Sequence, residues 1–380
     1  MINKTYALGL MSGTSCDGLD VAYCEIHPSS SNIKTKLLAF KTYSYPKELK
    51  DKILKSFNSL IYARDLCSLN FELAIFYANQ VNQFIKEFDL NKDQISFIAS
   101  HGQTIYHLID PKDSETKSTL QLGDISVLSQ LTQLNVIGDF RPSDIANNGQ
   151  GAPLVPCPEW LLFHQTNKVL LFQNIGGISN VSVINNDPQS CFAFDNGPGN
   201  VLIDLAVKHF FNLDYDANGD IAVLGKINHS MILYLLNDNY YDLIPPKSTG
   251  REKYSINFFN QLLTLFPNVD KYDFVASVTY FTALVIANSY KQFIIQPDTK
   301  YQVYLSGGGA SNSTLVNHLK KLLNPIKVYS SSKLNINPDA KEAIAFAILG
   351  YLTFNHLPGN LPSATGADKP CILGKIAYYK

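Results

Sequence analysis

Net charge is almost missing from this sequence. Across 380 residues, 31 Lys and Arg face 32 Asp and Glu, which leaves a formal charge of −1. That balance supplies no broad field of one sign, which argues against nucleic acid and anionic membrane surfaces as partners. Cysteine is sparse and scattered: the six, at 16, 24, 67, 157, 191 and 371, include no pair at CxxC spacing. Such intervals make neither a disulfide framework nor a zinc site, so reduced, buried thiols are expected. Low-complexity tracts and short-period repeats are lacking as well. Met1-Ile2-Asn3-Lys4 runs straight into an apolar stretch with no signal-peptide pattern, and a cytoplasmic location is the expectation. The uncharged run 274–290, FVASVTYFTALVIANSY, carries Ser277, Thr279, Thr282, Asn288 and Ser289. It falls short of the ~20 apolar residues of a bilayer span and reads as a buried helix, so no membrane partner is expected.

What is present describes a globular chain. Hydrophobic residues make up 46% and charged residues 17%, far from the composition of disorder. At roughly 150 residues per domain, the length suggests two domains or one bilobal unit. Residues 5–26 read as a hairpin, 46–88 as helical, and ISFIASHG as a buried strand ending at Ser100-His101-Gly102. A helix over 124–135, a strand in VIGDFRP (136–142), a hairpin over 169–184 and a strand in CFAFDNGPGN (191–200) follow. Helices are then expected over about 200–211 and 340–354, with strand, glycine turn and helix in YQVYLSGGGASN (301–312). Strands mixed with helices throughout indicate α/β layers.

The recurring feature is a strand followed by a glycine-rich, polar loop, at 12–18, 174–180 and 306–312. Loops of this kind aim backbone N–H groups where they can hold phosphate oxygens. No GxxxxGK[ST] occurs and no GxGxxG follows a strand, so neither a P-loop nor a Rossmann site is indicated. What remains is the actin, sugar-kinase and heat-shock ATPase superfamily, which binds ATP between two lobes. The expected fold is therefore a two-lobed, actin-like ATPase (ribonuclease H-like) α/β fold with ATP in the interlobe cleft. Lobe I would comprise 1–135 plus 345–380, and lobe II 136–344.

Seven motifs occur in order: GLMSGTSCDGLD (9–20), SHGQT (100–104), DFR (139–141), GQGAPLVP (149–156), NIGGISN (174–180), DNGPGN (195–200) and SGGGASN (306–312). Together, from residue 7 to about 375, they resemble the anhydro-N-acetylmuramic acid kinase family. Against that family's pattern, an aliphatic residue is commoner at Cys16, Thr at Asn196, and small residues or Gly at Asn147 and Asn148.

The resemblance implies an ATP- and Mg²⁺-dependent enzyme of peptidoglycan recycling, cytoplasmic and homodimeric, acting on a small amino sugar. It would open the 1,6-anhydro bridge and phosphorylate the freed 6-oxygen, giving N-acetylmuramic acid 6-phosphate and ADP. The first loop (Ser12, Gly13, Thr14, Ser15, Cys16, Asp17, Gly18, Leu19) would wrap the ATP phosphates, with Asp17 holding magnesium through water. Gly176 and Gly177 would form the second phosphate contact, and Gly307, Gly308 and Gly309 the adenosine contact. His101, Gln103, Arg141 and Asn174 would face the sugar; for His101 a capped, structurally hydrogen-bonded histidine is the alternative. Arg141 offers a planar fork suited to the sugar's lactyl carboxylate; an internal salt bridge to Asp139 or Asp144 is the alternative. Asp195 and Glu342 would be the catalytic carboxylates. For Asp195 an Asx turn is the alternative, and for Glu342 a helix-start carboxylate favoured by the dipole. Two other readings stay open: an ordinary sugar kinase acting on a free hydroxyl, and an actin- or chaperone-like ATPase that only switches conformation.

Overall fold

The computed structural model describes residues 4–13, 16–29, 32–58, 60–250, 253–334 and 337–380. The chain forms two compact units: the residues up to Phe163 joined by Asp339–Lys380, and His164–Pro338. In the first unit the order is β1 (Thr5–Ser12), β2 (Gly18–Pro28), β3 (Ile33–Ser44), α1 (Lys47–Asn58), α2 (Ala63–Glu87), β4 (Ile95–Leu108) and β5 (Ser118–Leu122). It continues through α3 (Ile125–Thr132), β6 (Val136–Gly138), α4 (Pro142–Ala146) and α5 (Pro156–Phe163). The second unit holds β7 (Val169–Ile175), β8 (Ile178–Ile184), β9 (Phe192–Pro198), α6 (Val201–Phe211), α7 (His229–Leu236), α8 (Ile256–Leu265) and α9 (Lys271–Phe293). It closes with β10 (Tyr301–Ser306), α10 (Ser313–Leu322) and β11 (Lys327–Ser330). The chain then returns to the first unit with α11 (Lys341–Phe354), α12 (Pro362–Thr365) and β12 (Lys375–Ala377).

The two sheets share one plan. In the first, the order is β12-β6-β4-β1-β2-β3, with β5 on β4; in the second it is β11-β10-β7-β8-β9. Each begins as an antiparallel three-strand meander, β1-β2-β3 or β7-β8-β9, and adds two parallel strands on the far side of its first strand. That duplicated order is the ribonuclease H-like plan of the actin-like ATPases, as the glycine-loop pattern predicted. The sequence expectation puts 136–163 in lobe II, but β6 pairs with β4 and β12, so that segment belongs to the first unit. The return to the first unit also comes earlier than residue 345, at Asp339, because all of α11 packs there.

Packing explains both apolar helices. Every residue of α11 from Ala343 to Thr353 is buried, and α9 buries fourteen of its residues, as expected of helices apolar all round. No helix among the described residues is long and apolar enough to cross a membrane. In the first unit α11 lies directly on β1: a Cβ at Gly9 would stand 1.9 Å from the Ala343 carbonyl oxygen. Gly9→Ala must therefore displace helix backbone, and we expect a loss of stability of about 1–3 kcal/mol or more, read from denaturant midpoints. A midpoint equal to wild type would show that the helix can retreat from the sheet at no cost.

Candidate functional site

In the first unit, the turn after β1 is built mostly from within. Ser12 Oγ donates to Gln103 Oε1 (2.5 Å) and is 2.7 Å from the Tyr45 hydroxyl, which lies 3.0 Å from that of Tyr77. Gln103 Nε2 donates to the carbonyl of Gly13 (3.2 Å), which also accepts from the Cys16 N–H. Ser12 and Gln103 are buried, so these side chains hold the turn rather than face a ligand. Leu19 is core, and Gly18 is fixed by β3, since a Cβ there would meet the Tyr43 carbonyl oxygen at 2.3 Å. Among the described residues of the turn, it is the backbone that is left to meet a phosphate. Cys16 sits at φ +56° and is buried, which pushes its thiol up to about 11 and makes it a poor nucleophile. Thr14 and Ser15 lie outside the described residues.

Asp17 is exposed, its carboxylate 3.4 Å from Lys50 Nζ. Among the described residues no three His, Cys, Asp or Glu side chains are grouped to hold a metal ion. This donor set does not make a protein cage. It suits magnesium arriving on phosphates, which needs one or two carboxylates and keeps its waters.

His101 and Arg141 meet because β4 and β6 are parallel neighbours. Arg141 donates from Nη2 (2.8 Å) and Nε (3.2 Å) to His101 Nε2, and from Nη1 to the Gly151 carbonyl (2.7 Å). A guanidinium only donates, so Nε2 must accept and the imidazole proton sits on Nδ1. Burial, with Arg141 beside it, lowers the His101 pKa to about 3, so the ring is neutral at pH 7. The sequence alternative of an internal salt bridge is not what forms. Asp139 pairs with Lys375 (2.9 Å), while Asp144 is buried and accepts from the Gly151 N–H, Asn360 and Thr365. Arg141 has no ion-pair partner among the described residues, and burial lowers its pKa only to about 10.

Glu342 stands in the first turn of α11, four residues before Phe346, whose ring packs against His101. Its side chain is reached by solvent yet surrounded by protein. That loss of hydration raises its carboxyl pKa; Lys341 and Arg141 pull it down, while Asp20 and Glu159 push it up. Asp20, Glu159 and Lys341 were not picked out from the sequence. Asp20 had a signal, since it sits two positions from Gly18 in DGLD, on the same face of β2; the other two are visible only in three dimensions.

In the second unit, three glycine loops converge at the carboxyl ends of β7 and β10, where α/β sheets generally bind ligands. The N–H of Asn200 donates to Gly176 O (2.7 Å), the N–H of Gly199 to Gly177 O (2.9 Å), and Asn200 Nδ2 to Ile175 O (3.3 Å). Gly307, at φ +80°, and Gly309 are packed on Asn174 and Ile175, with no room for a Cβ. Gly176 and Gly308 differ: a Cβ would find nothing closer than 3.6 and 3.4 Å. Those two open faces form a cradle that phosphate or ribose could approach. Asp195 lies on β9, where a register shift opposite Ser179/Asn180 interrupts the ladder. Such bulges re-aim side chains. Its Oδ2 accepts from the Thr249 N–H (2.9 Å) and its carbonyl from the Tyr240 hydroxyl (2.7 Å). The carboxylate is thus anchored to a distant segment and not only to its own turn. Asn196 is fully buried, accepting from Gln173 Nε2 (2.9 Å) and donating to Ser289 Oγ (2.8 Å).

The structure therefore gathers the expected residues into two groups. Ser12, Gly13, Cys16–Leu19, His101, Gln103, Arg141 and Glu342 lie in the first unit, and Asn174, Gly176, Gly177, Asp195 and Gly307–Gly309 in the second.

Comparison with known proteins bears on what this arrangement serves. The chain is 43% identical over 377 residues, covering 98% of each chain, to the anhydro-N-acetylmuramic acid kinase of Clostridioides difficile (strain 630). It is 42% identical over 382 residues, covering both chains fully, to that of Francisella tularensis subsp. novicida (strain U112). The family model described as anhydro-N-acetylmuramic acid kinase matches residues 5–380. With that match and relatives this similar along their whole length, the chain belongs to the anhydro-N-acetylmuramic acid kinase family and is a kinase.

Proposed function

We propose that the chain uses ATP to open the 1,6-anhydro bridge of 1,6-anhydro-N-acetylmuramic acid and to phosphorylate the freed 6-oxygen. The products are N-acetylmuramic acid 6-phosphate and ADP. The observation that carries this reading is Arg141: a guanidinium oriented by His101 and Gly151, with no carboxylate of the described residues in an ion pair with it. The substrate's lactyl group supplies the missing carboxylate, and a fork of two N–H donors matches it. Asp195 is the base that takes the proton of the attacking water, and Glu342 the second carboxylate that orients it. The loop after β1 and the open faces of Gly176 and Gly308 hold the phosphates and ribose of ATP. Asp17 is the carboxylate that would hold a magnesium ion arriving on ATP, which would supply neutralisation of phosphate charge. Serving peptidoglycan recycling in the cytoplasm as a homodimer accords with this reading and is supported by family membership alone.

The test is to follow ADP with ATP and either the anhydro sugar, free N-acetylmuramic acid or no sugar. Turnover on the anhydro form alone is expected. Turnover on the free sugar alone would indicate an ordinary hydroxyl kinase, and sugar-independent turnover an ATPase switch.

The glycines give a sharper check. Gly176→Ala and Gly308→Ala fit the folded chain without a clash, so their melting temperatures should hold. The KM for ATP should rise ~10-fold, the equivalent of about 1.4 kcal/mol, with the sugar's KM unchanged. A rise in the sugar's KM instead would move this cradle to the sugar.

A further inference from the structure

Glu159 is a buried carboxylate for which the proposed reaction has no use. It is 3% exposed on α5, and Lys341 Nζ, at 2.5 Å from Oε1, is its only counter-charge among the described residues. Lys341 immediately precedes Glu342 in the first turn of α11, and α5 packs against that helix. We propose that the Lys341–Glu159 ion pair is a positioning device: it pins the first turn of α11 to α5, fixing the place of the Glu342 carboxylate and keeping a positive charge beside it. The inference rests on the reading of Glu342 as a carboxylate of the reaction.

Geometry and electrostatics agree here. A carboxylate that acts in its ionised form must stay ionised at neutral pH, although desolvation works against that. The charged groups around Glu342 are Lys341 on its own helix, Asp20 on β2, Arg141 ahead of α4 and Glu159 on α5; His101, on β4, is neutral. Of these, Lys341 opposes the desolvation most. Glu159 holds the lysine's ammonium at 2.5 Å. Losing Glu159 would therefore do two things at once, removing a repulsion and releasing the lysine, and only the second belongs to positioning.

The test is the pH profile of kcat/KM for the anhydro sugar, which reports ionisations of the free enzyme. Lys341→Met removes the positive neighbour, so the acid limb should move up by about half a pH unit or more. Glu159→Gln removes a negative neighbour but also releases the lysine, whose effect on Glu342 is the larger, so its limb should move up too, by less than in Lys341→Met. Lys341→Arg should keep the wild-type limb. Breaking a buried pair from one side leaves an unpaired charge, and Lys341→Met could fail to fold. The double variant Lys341→Met/Glu159→Gln leaves none; compared with Glu159→Gln alone, its limb should lie higher. A limb that moves down in Glu159→Gln, or lowered melting temperatures with an unmoved limb, would overturn the proposal while the reading of Glu342 stands. A Glu342→Gln enzyme with normal turnover and an unchanged profile would overturn that reading, and the proposal with it.

Discussion

Replacing Asp195 by asparagine is expected to lower turnover by roughly 10²–10⁴-fold while leaving the binding of both substrates nearly unchanged. The anhydro sugar has no free 6-hydroxyl, because that oxygen bridges to the anomeric carbon. An ordinary kinase base would have no proton to remove from the nucleophile. Water must instead add at the anomeric carbon as the C1–O6 bond breaks and O6 takes the γ-phosphoryl group, and the proton lost by that water needs an acceptor. Asp195 is suited to this. Its Oδ2 accepts from the Thr249 N–H and its backbone is tied to Tyr240 and Lys247, so the carboxylate is anchored from outside its own strand. An asparagine side-chain oxygen can keep the Thr249 bond, which preserves shape while removing basicity. In water enriched in heavy oxygen, wild-type enzyme should place the label on the anomeric hydroxyl and none in the transferred phosphoryl group. Label in the phosphoryl group would overturn the mechanism, and near-normal turnover by Asp195→Asn would remove Asp195 as the base.

How much of this was legible beforehand depends on the length scale of each interaction. The turn after β1, the NIGGISN hairpin and the loop before α10 could be read locally, because glycine and amide residues follow apolar strands within a few positions. Asn148 is a local case too: at φ +64° it occupies the left-handed region that glycine or asparagine tolerates, which accounts for the glycine of the family pattern. β3 was harder. In IKTKLLAFKTYS the adjacent Leu37 and Leu38 break strict alternation, and the pairing with β2 shifts register at Tyr23/Cys24. β6 is only three residues, and nothing in VIG tells which sheet it joins, so the boundary at 135/136 was misplaced. Side-chain direction was harder still. Ser12 and Gln103 sit in motifs that suggest ligand contact, yet their hydrogen bonds close on each other across β1 and β4. The Lys341–Glu159 pair joins helices that flank the second unit in sequence, and no local pattern announces it.

Arg141→Ala is expected to weaken binding of the anhydro sugar by about 2–5 kcal/mol, as for truncating one partner of a desolvated charge pair, with ATP binding nearly unchanged. The guanidinium spends its Nε, one Nη2 and one Nη1 hydrogen on His101 and Gly151, which leaves an N–H on each terminal nitrogen for a ligand. Those two form the fork that a carboxylate fits. Arg141→Lys keeps the charge but loses both the fork and the His101 contact, so it should recover only a minor part of the affinity. His101→Gln, whose amide oxygen can still accept from the guanidinium, should cost less than Arg141→Ala, because the histidine acts through Arg141. With His101 neutral down to about pH 3 and Arg141 charged up to about pH 10, neither changes state near neutrality. Sugar affinity should therefore be flat on their account between about pH 5 and pH 8. Titration calorimetry with the anhydro sugar, alongside a melting curve for each variant, decides the matter. Unaltered sugar affinity in a well-folded Arg141→Ala protein would make the arginine a structural brace between His101 and the 149–151 loop, and the lactyl carboxylate would need another partner.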